Sequence, residues 1–228
     1  MRHSRHRTIT ILISLLVATA LGAGVVASQP NEYAIEQGDD CYELTPVTNE
    51  SQSVEAFYGY TVSADGDEAN YSANTPIGLE DANSGTSSLF LYEGPDGLSL
   101  VVLHGAVNDT GGGAVSMEFV GLPEAGEWVV KDDPTNLSIE VWNRNTTEGQ
   151  AVDWGWRDLW TDGGAFQGGL DDQFSIEISA SFNEGAELEP VSPGNVTEWR
   201  AITVENDSLR AVTLDMNRSV TIRTGGCR

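Results

Sequence analysis

Short runs of apolar–polar alternation, cut by glycine-rich and acidic turn clusters, constrain this chain more than any other feature. The run from Phe174 to Phe182 reads Phe-Ser-Ile-Glu-Ile-Ser-Ala-Ser-Phe. A period of two sets Phe174, Ile176, Ile178, Ala180 and Phe182 on one face of an extended segment. Val115–Val120, Leu137–Trp142 and Val152–Trp156 repeat the pattern, with shorter versions at Trp128–Lys131, Trp199–Val204, Leu209–Leu214 and Val220–Ile222. Val54–Val62 alternates with aromatics and reads as the first strand. Ser87–Tyr92 and the apolar Leu98–Leu103 flank Glu93-Gly94-Pro95-Asp96-Gly97, a turn by composition, which predicts a hairpin. No stretch of ten or more residues has helical period, although Asn183–Leu188 admits one helical turn. The pattern predicts an all-β fold: a single β-sandwich of roughly ten strands over residues 54–228, jelly-roll or immunoglobulin-like, with no strand order implied.

Residues 1–27 form a different kind of segment. Met1 to Arg7 is basic, Thr8 to Ala27 is uncharged and mostly apolar, and Val25-Val26-Ala27 offers small residues for cleavage. That is the three-part layout of an export signal. Thr8–Ala27 is also long enough to cross a bilayer at about 1.5 Å per residue, so an uncleaved signal anchor is the alternative. Either way the expected location is extracellular or at the cell surface. Membrane contact would run only through residues 8–27, if the leader is retained. Residues 28–53 are polar and irregular, and read as an exposed lead-in.

Charge narrows the solvent and the partners. The whole chain carries 35 acids against 11 bases, for a formal charge of -24. Losing Arg2, Arg5 and Arg7 with the leader would leave eight bases, and Lys131 is the sole lysine. Such a surface repels itself in dilute buffer. In molar salt the Debye length falls to about 3 Å and the repulsion is screened. Phosphate recognition needs clustered Lys and Arg, so nucleic acid is not an expected partner.

Two cysteines, Cys41 and Cys227, sit near the ends of the mature region. In an exported chain they predict one disulfide that closes nearly the whole domain. Eight Asn-x-Ser/Thr acceptors accompany them, at Asn49, Asn70, Asn108, Asn136, Asn145, Asn195, Asn206 and Asn217.

Half of the six tryptophans, Trp154, Trp156 and Trp160, fall within Asp153–Phe166. An exposed row of that kind is a stacking platform for sugar rings, and a buried one is core. This tract, with Glu93–His104 and Gly121–Val130, resembles exported proteins of haloarchaea that are themselves uncharacterised, over residues 85–225. The resemblance implies a saline habitat and carries no activity. Thr161-Asp162-Gly163-Gly164 reads as a turn, and Asp162, Asp171 and Asp172 are candidate ligands for calcium, which takes six to eight oxygens. Ser63–Glu68 begins like a calcium loop but lacks the later ligands.

Catalytic inventory is thin. The mature region holds one histidine, His104, and no Gly-x-Ser-x-Gly nucleophile elbow is present. No catalytic residue is singled out. The expected function is an exported, salt-adapted, non-catalytic β domain with a structural or ligand-binding role, its candidate partners a glycan or a cell-surface protein. A secreted hydrolase using a carboxylate pair and a membrane-tethered interaction domain are the alternatives.

The unfolding midpoint is expected to rise as sodium chloride goes from dilute to molar, because screening acts on the compact state most. Thermal melts across a salt series check this, and a midpoint independent of salt would contradict it.

Overall fold

The computed structural model describes residues 32–60, 83–106, 109–132, 149–188 and 194–228, together with the backbone of 141–145. Residues 31–228 make one compact unit. In chain order the elements are β1 (Tyr33–Gln37), β2 (Asp40–Leu44), β3 (Val47–Thr48), α1 (Val54–Tyr58), β4 (Thr86–Gly94), β5 (Gly97–Gly105), β6 (Gly113–Val120) and β7 (Glu127–Lys131). Then follow β8 (Val141–Asn145), β9 (Gln150–Trp156), β10 (Thr161–Gln167), β11 (Ser175–Phe182), a 3₁₀ turn (Asn183–Gly185), β12 (Glu198–Glu205), β13 (Ser208–Leu214) and β14 (Val220–Thr224).

The fold is nearly all β and built on two large sheets, as the alternation predicts. The first sheet runs β2-β1-β14-β11-β6-β9-β8, and the second β13-β12-β4-β5-β10-β7, with β3 added to β4. The expected β4–β5 hairpin closes on the Gly94↔Gly97 pair. The described residues hold fourteen strands where ten or so were expected, and three local expectations are corrected.

The first correction concerns the lead-in. Residues 33–48 are not irregular throughout: they carry β1, β2 and β3. β1 lies between β2 and β14 with Tyr33, Ala34 and Ile35 buried, while β2 is largely exposed, as the lead-in was expected to be. The five residues of β1 are too short to show a period in sequence. The second concerns Val54–Val62, whose described part is a helix rather than a strand. The Ser53 hydroxyl accepts from the Ala56 N–H, and Gly59 ends the helix at φ 64°. Val54, Phe57 and Tyr58, at helical spacing, turn inward, and Phe57 stacks on Tyr92 at 4.1 Å. The third concerns Thr161–Gly164, which is the start of β10 and not a turn. Gly163 adopts φ +149°, and a Cβ there would sit 2.2 Å from the Val102 carbonyl. Glycine is what lets this strand lie so close to β5.

Inner faces of the two sheets pack as one core. Leu89, Leu91, Leu98, Leu100 and Val102 of the second sheet meet Val115, Met117, Phe119, Val152, Trp154, Ile176 and Ile178 of the first. The second sheet is also covered on its outer face. There Val54, Phe57 and Tyr58 join Phe90, Tyr92, Val101 and Leu103. This double burial explains why β5 reads as an unbroken apolar run rather than an alternating one.

Cys41 of β2 and Cys227, just past β14, form the expected disulfide, with Cα atoms 5.8 Å apart and a sequence separation of 186. The bridge spans β1, which lies between the two strands.

Replacing both cysteines, Cys41→Ser with Cys227→Ser, is expected to lower the free energy of unfolding by up to about 5 kcal/mol, from the loop length it frees. Denaturant titration in molar salt measures this, and an unchanged midpoint would show that Arg223 and the β1 ladders hold the termini alone.

Candidate functional site

Two places concentrate chemistry. One is the tryptophan cluster between the sheets, and the other is a charged hollow beside the disulfide.

β9 sets Trp154 and Trp156 on one face, as the sequence predicts, and that face is the interior. Trp154 is 0% exposed, Trp156 1% and Trp160 6%. Trp154 meets Trp128 edge-to-face at 6.2 Å and Phe119 at 6.4 Å. The indole N–H groups are satisfied inside: Trp154 donates to the Gly163 carbonyl at 3.2 Å and Trp156 to the Ser84 carbonyl at 2.9 Å. The Arg157 guanidinium lies 3.9 Å from the centre of the Trp160 ring. A sugar platform needs free ring faces. These three tryptophans offer none, and of the two readings of the row the burial fits core rather than platform.

His104 completes the cluster. Its ring stacks on Trp156 at 5.3 Å with an interplanar angle of 10°, and tilts against Trp154 at 4.9 Å. Nδ1 lies 3.0 Å from the Ser87 hydroxyl, while Nε2 has no hydrogen-bond partner among the described residues. Complete burial pushes its pKa down to about 3, so the ring is neutral. Ser87, His104 and Asp162 stand in one lateral row across β4, β5 and β10. Those residue types suggest a triad. Yet Ser87 contacts Nδ1, both side chains are 0% exposed, and no substrate reaches them.

The candidate calcium ligands do not converge. Asp162 is buried, and its two oxygens accept from the Gly155 N–H at 3.0 Å and the Gly163 N–H at 2.7 Å. Asp171 sits at the other end of β5, where it accepts from the Leu98 N–H at 3.1 Å. The length of β5 between them is roughly 20 Å. Asp172 neighbours Asp171, both are exposed, and the Asp172 carbonyl accepts from the Thr224 hydroxyl. Among the described residues no three His, Cys, Asp or Glu side chains gather as a metal group. The Ser63–Glu68 loop lies outside the described residues.

The hollow measures about 520 Å³ and is lined by Glu36, Asp39, Asp40, Cys41, Arg223 and Arg228, among others. Sequence reading missed it, because its members come from β1, the β1–β2 turn, β2, β14 and the C-terminal tail. Arg223 looks like an anion receptor until its hydrogen bonds are counted. Nε and Nη2 both donate to Glu36 Oε1, Nη2 also to the Gly226 carbonyl, and Nη1 to the carbonyls of Thr224 and Gly225. A guanidinium has five N–H groups, and here all five are spent. The hydrogen bond from Arg223 holds the Glu36 carboxyl below its ordinary range. The pair is therefore a clamp that fixes the tail carrying Cys227.

The glycan acceptors divide by environment. Asn195, Asn206 and Asn217 are exposed. Asn49 is half-buried, its Oδ1 accepting from Ser51 and its Nδ2 donating to Gln52. Asn145 ends β8, while Asn70, Asn108 and Asn136 lie outside the described residues. No helix among the described residues is long and apolar enough to cross a membrane, and residues 8–27 lie outside them. Compared with known proteins, the chain matches no protein-family model, no curated protein and no solved structure.

Two measurements test this cluster. Trp156→Ala is expected to cost about 3–5 kcal/mol of stability through the cavity it leaves. A platform residue would instead lose ligand at unchanged stability. His104 is neutral when folded and binds a proton near pH 6.5 when unfolded, so its contribution is full above that pH and falls as pH drops towards 3. Relative to His104→Gln, the wild type is expected to lose at most about 1.4 kcal/mol per pH unit across that window. Parallel pH–stability curves for the two proteins would contradict it.

Proposed function

We propose that this chain is an exported, salt-adapted β-sandwich domain with a structural role at or outside the cell surface. The observation that carries the reading is the Cys41–Cys227 disulfide, whose formation calls for an oxidising compartment. The basic leader with its apolar run and the excess of acids support the same reading. Burial of Trp154, Trp156 and Trp160 removes the residues on which a carbohydrate-binding role rested, so scaffolding outranks ligand capture.

The sandwich subclass we infer is jelly-roll-like. β8 pairs with β9, β7 with β10 and β6 with β11, a nest of ladders that falls in alternate sheets as a folded-over hairpin would. The parallel β4–β12 pair lies outside that nest. The hydrolase alternative needs a carboxyl in an open cleft with a raised pKa. In the hollow beside the disulfide the effect on Glu36 runs the other way. The tethered alternative differs only in whether residues 8–27 stay attached.

Mass spectrometry of the protein recovered outside the cytoplasm tests the proposal. The expected result is a mature N-terminus near Ser28 and a mass two hydrogen atoms below that of the dithiol form. An intact leader would favour the tethered domain, and free thiols in the native protein would remove the export reading.

A further inference from the structure

Among the described residues each sheet ends in strands with a neighbour on one side only, and such an edge is a template for pairing with another chain. Three of the four end strands carry a device against that. β2 presents Asp40 and Glu43 and is pinned by the disulfide. β7 meets its neighbour through a register shift at Ala165/Phe166, and β8 through one at Trp142/Arg144. β13 has none. It pairs with β12 through seven consecutive residues without a shift, from Glu205↔Ser208 to Trp199↔Leu214. It contains no proline, lysine or acid, and its one charge, Arg210, is bridged to Glu205 at 2.7 Å.

Long-range repulsion between copies cannot protect this edge where the protein is proposed to work. A net charge of -24 keeps molecules apart in dilute buffer, but a Debye length of about 3 Å in molar salt removes that barrier before two strands touch. Protection has to be steric. Both ends of β13 carry the means. Asn206-Asp207 forms the two-residue turn into the strand, which starts at Ser208, with φ 52° at Asn206 and 59° at Asp207, and the Asn206 side chain is exposed. Asn217-Arg218-Ser219 lies in the turn that leaves it. That turn is held rigid by the buried Gln37 amide, which donates to the carbonyls of Asp215 and Arg218 and accepts from the Asp215 N–H. Asn217 is exposed, and its Nδ2 donates to Asp215 Oδ1 at 3.2 Å. A glycosylated amide keeps one N–H, so that bond survives modification.

We infer that Asn206 and Asn217 are N-glycosylation sites whose glycans guard the open β13 edge against strand pairing with a second copy of the chain. The inference rests on the export reading above. The donor is an oligosaccharide carried on a lipid phosphate. The Asn Nδ2 bonds to the anomeric carbon, the sugar–phosphate C–O bond breaks, the lipid phosphate leaves, and the amide gives up one proton to the base of the transferring enzyme.

The test uses the full chain recovered after export from a glycosylating host. Glycopeptide mass spectrometry is expected to find sugar on both asparagines. Ser208→Ala with Ser219→Ala removes both acceptor motifs and leaves Asn206 to make its turn. In molar salt the variant is expected to sediment as a dimer or larger species where the parent is monomeric. Glu205 and Ser208 close the turn, so the N–H of Ala211 points away from β12. Adding Ala211→Pro therefore blocks the free edge without cutting the ladder, and is expected to restore the monomer. Bare asparagines in a protein whose disulfide has formed would overturn the guard and leave the export reading standing. A monomeric sequon-free variant, or association that Ala211→Pro does not reverse, would overturn it too. Free thiols together with bare asparagines would sink the export reading and this inference at once.

Discussion

Two sheets with no helix between them hold together only if their facing surfaces exclude water, and a nest of aromatic rings does that here. Phe119, Trp128, Trp154 and Phe166 meet edge-to-face at 5.2–6.4 Å. Large rings bury more area per ordered residue than aliphatic side chains, and their edge contacts add about 0.5–1.5 kcal/mol per pair. Their polar atoms must be met inside the same dry layer. The Gly163 carbonyl serves Trp154, Ser84 serves Trp156, and Asp162 caps two backbone N–H groups. This explains the glycine pair in β10. The strand has to come close enough for its backbone to act as the hydrogen-bond partner of an indole.

A dry centre dictates what the few bases can do. Arg223 spends all five donors on Glu36 and the tail, Arg157 covers the Trp160 ring, and the buried Arg200 donates to the Ser88 hydroxyl. These cations are committed to local structural contacts. With 11 bases against 35 acids, most of the acidic surface is left for solvent ions to screen. His104 belongs to the same logic, because a ring held neutral adds no charge to the core.

Much of the second half of the chain was legible because its strands are half-buried. β11 alternates cleanly between buried and exposed residues, and it was found. β4, β5, β9 and β12 were found through apolar content. The failures have physical causes. β10 hides its strand nature because close approach requires glycine, which also marks turns. α1 shares its first residues with an alternating pattern, although Ser53 and Gly59 carry a start and a stop signal that could have been weighed. β1 is short, and its buried Gln37 is polar because it satisfies a distant turn. As for the tryptophans, period two placed Trp154 and Trp156 on one face. It could not say whether that face looked inward, since this depends on the partner sheet.

The disulfide and the Arg223 clamp act on the same few residues for different reasons. The covalent bond restricts the unfolded chain, whereas the clamp orders the native tail. Glu36 is the shared point, lying in β1 between the strands that the bridge joins and receiving two of the five Arg223 hydrogen bonds. Acid that protonates Glu36 weakens the clamp but leaves the bridge, and a reductant does the reverse. Either insult alone leaves one of the two ties that hold β1 between β2 and β14; β1 and β2 are the two strands of the first sheet that come from the segment read from sequence as an exposed lead-in.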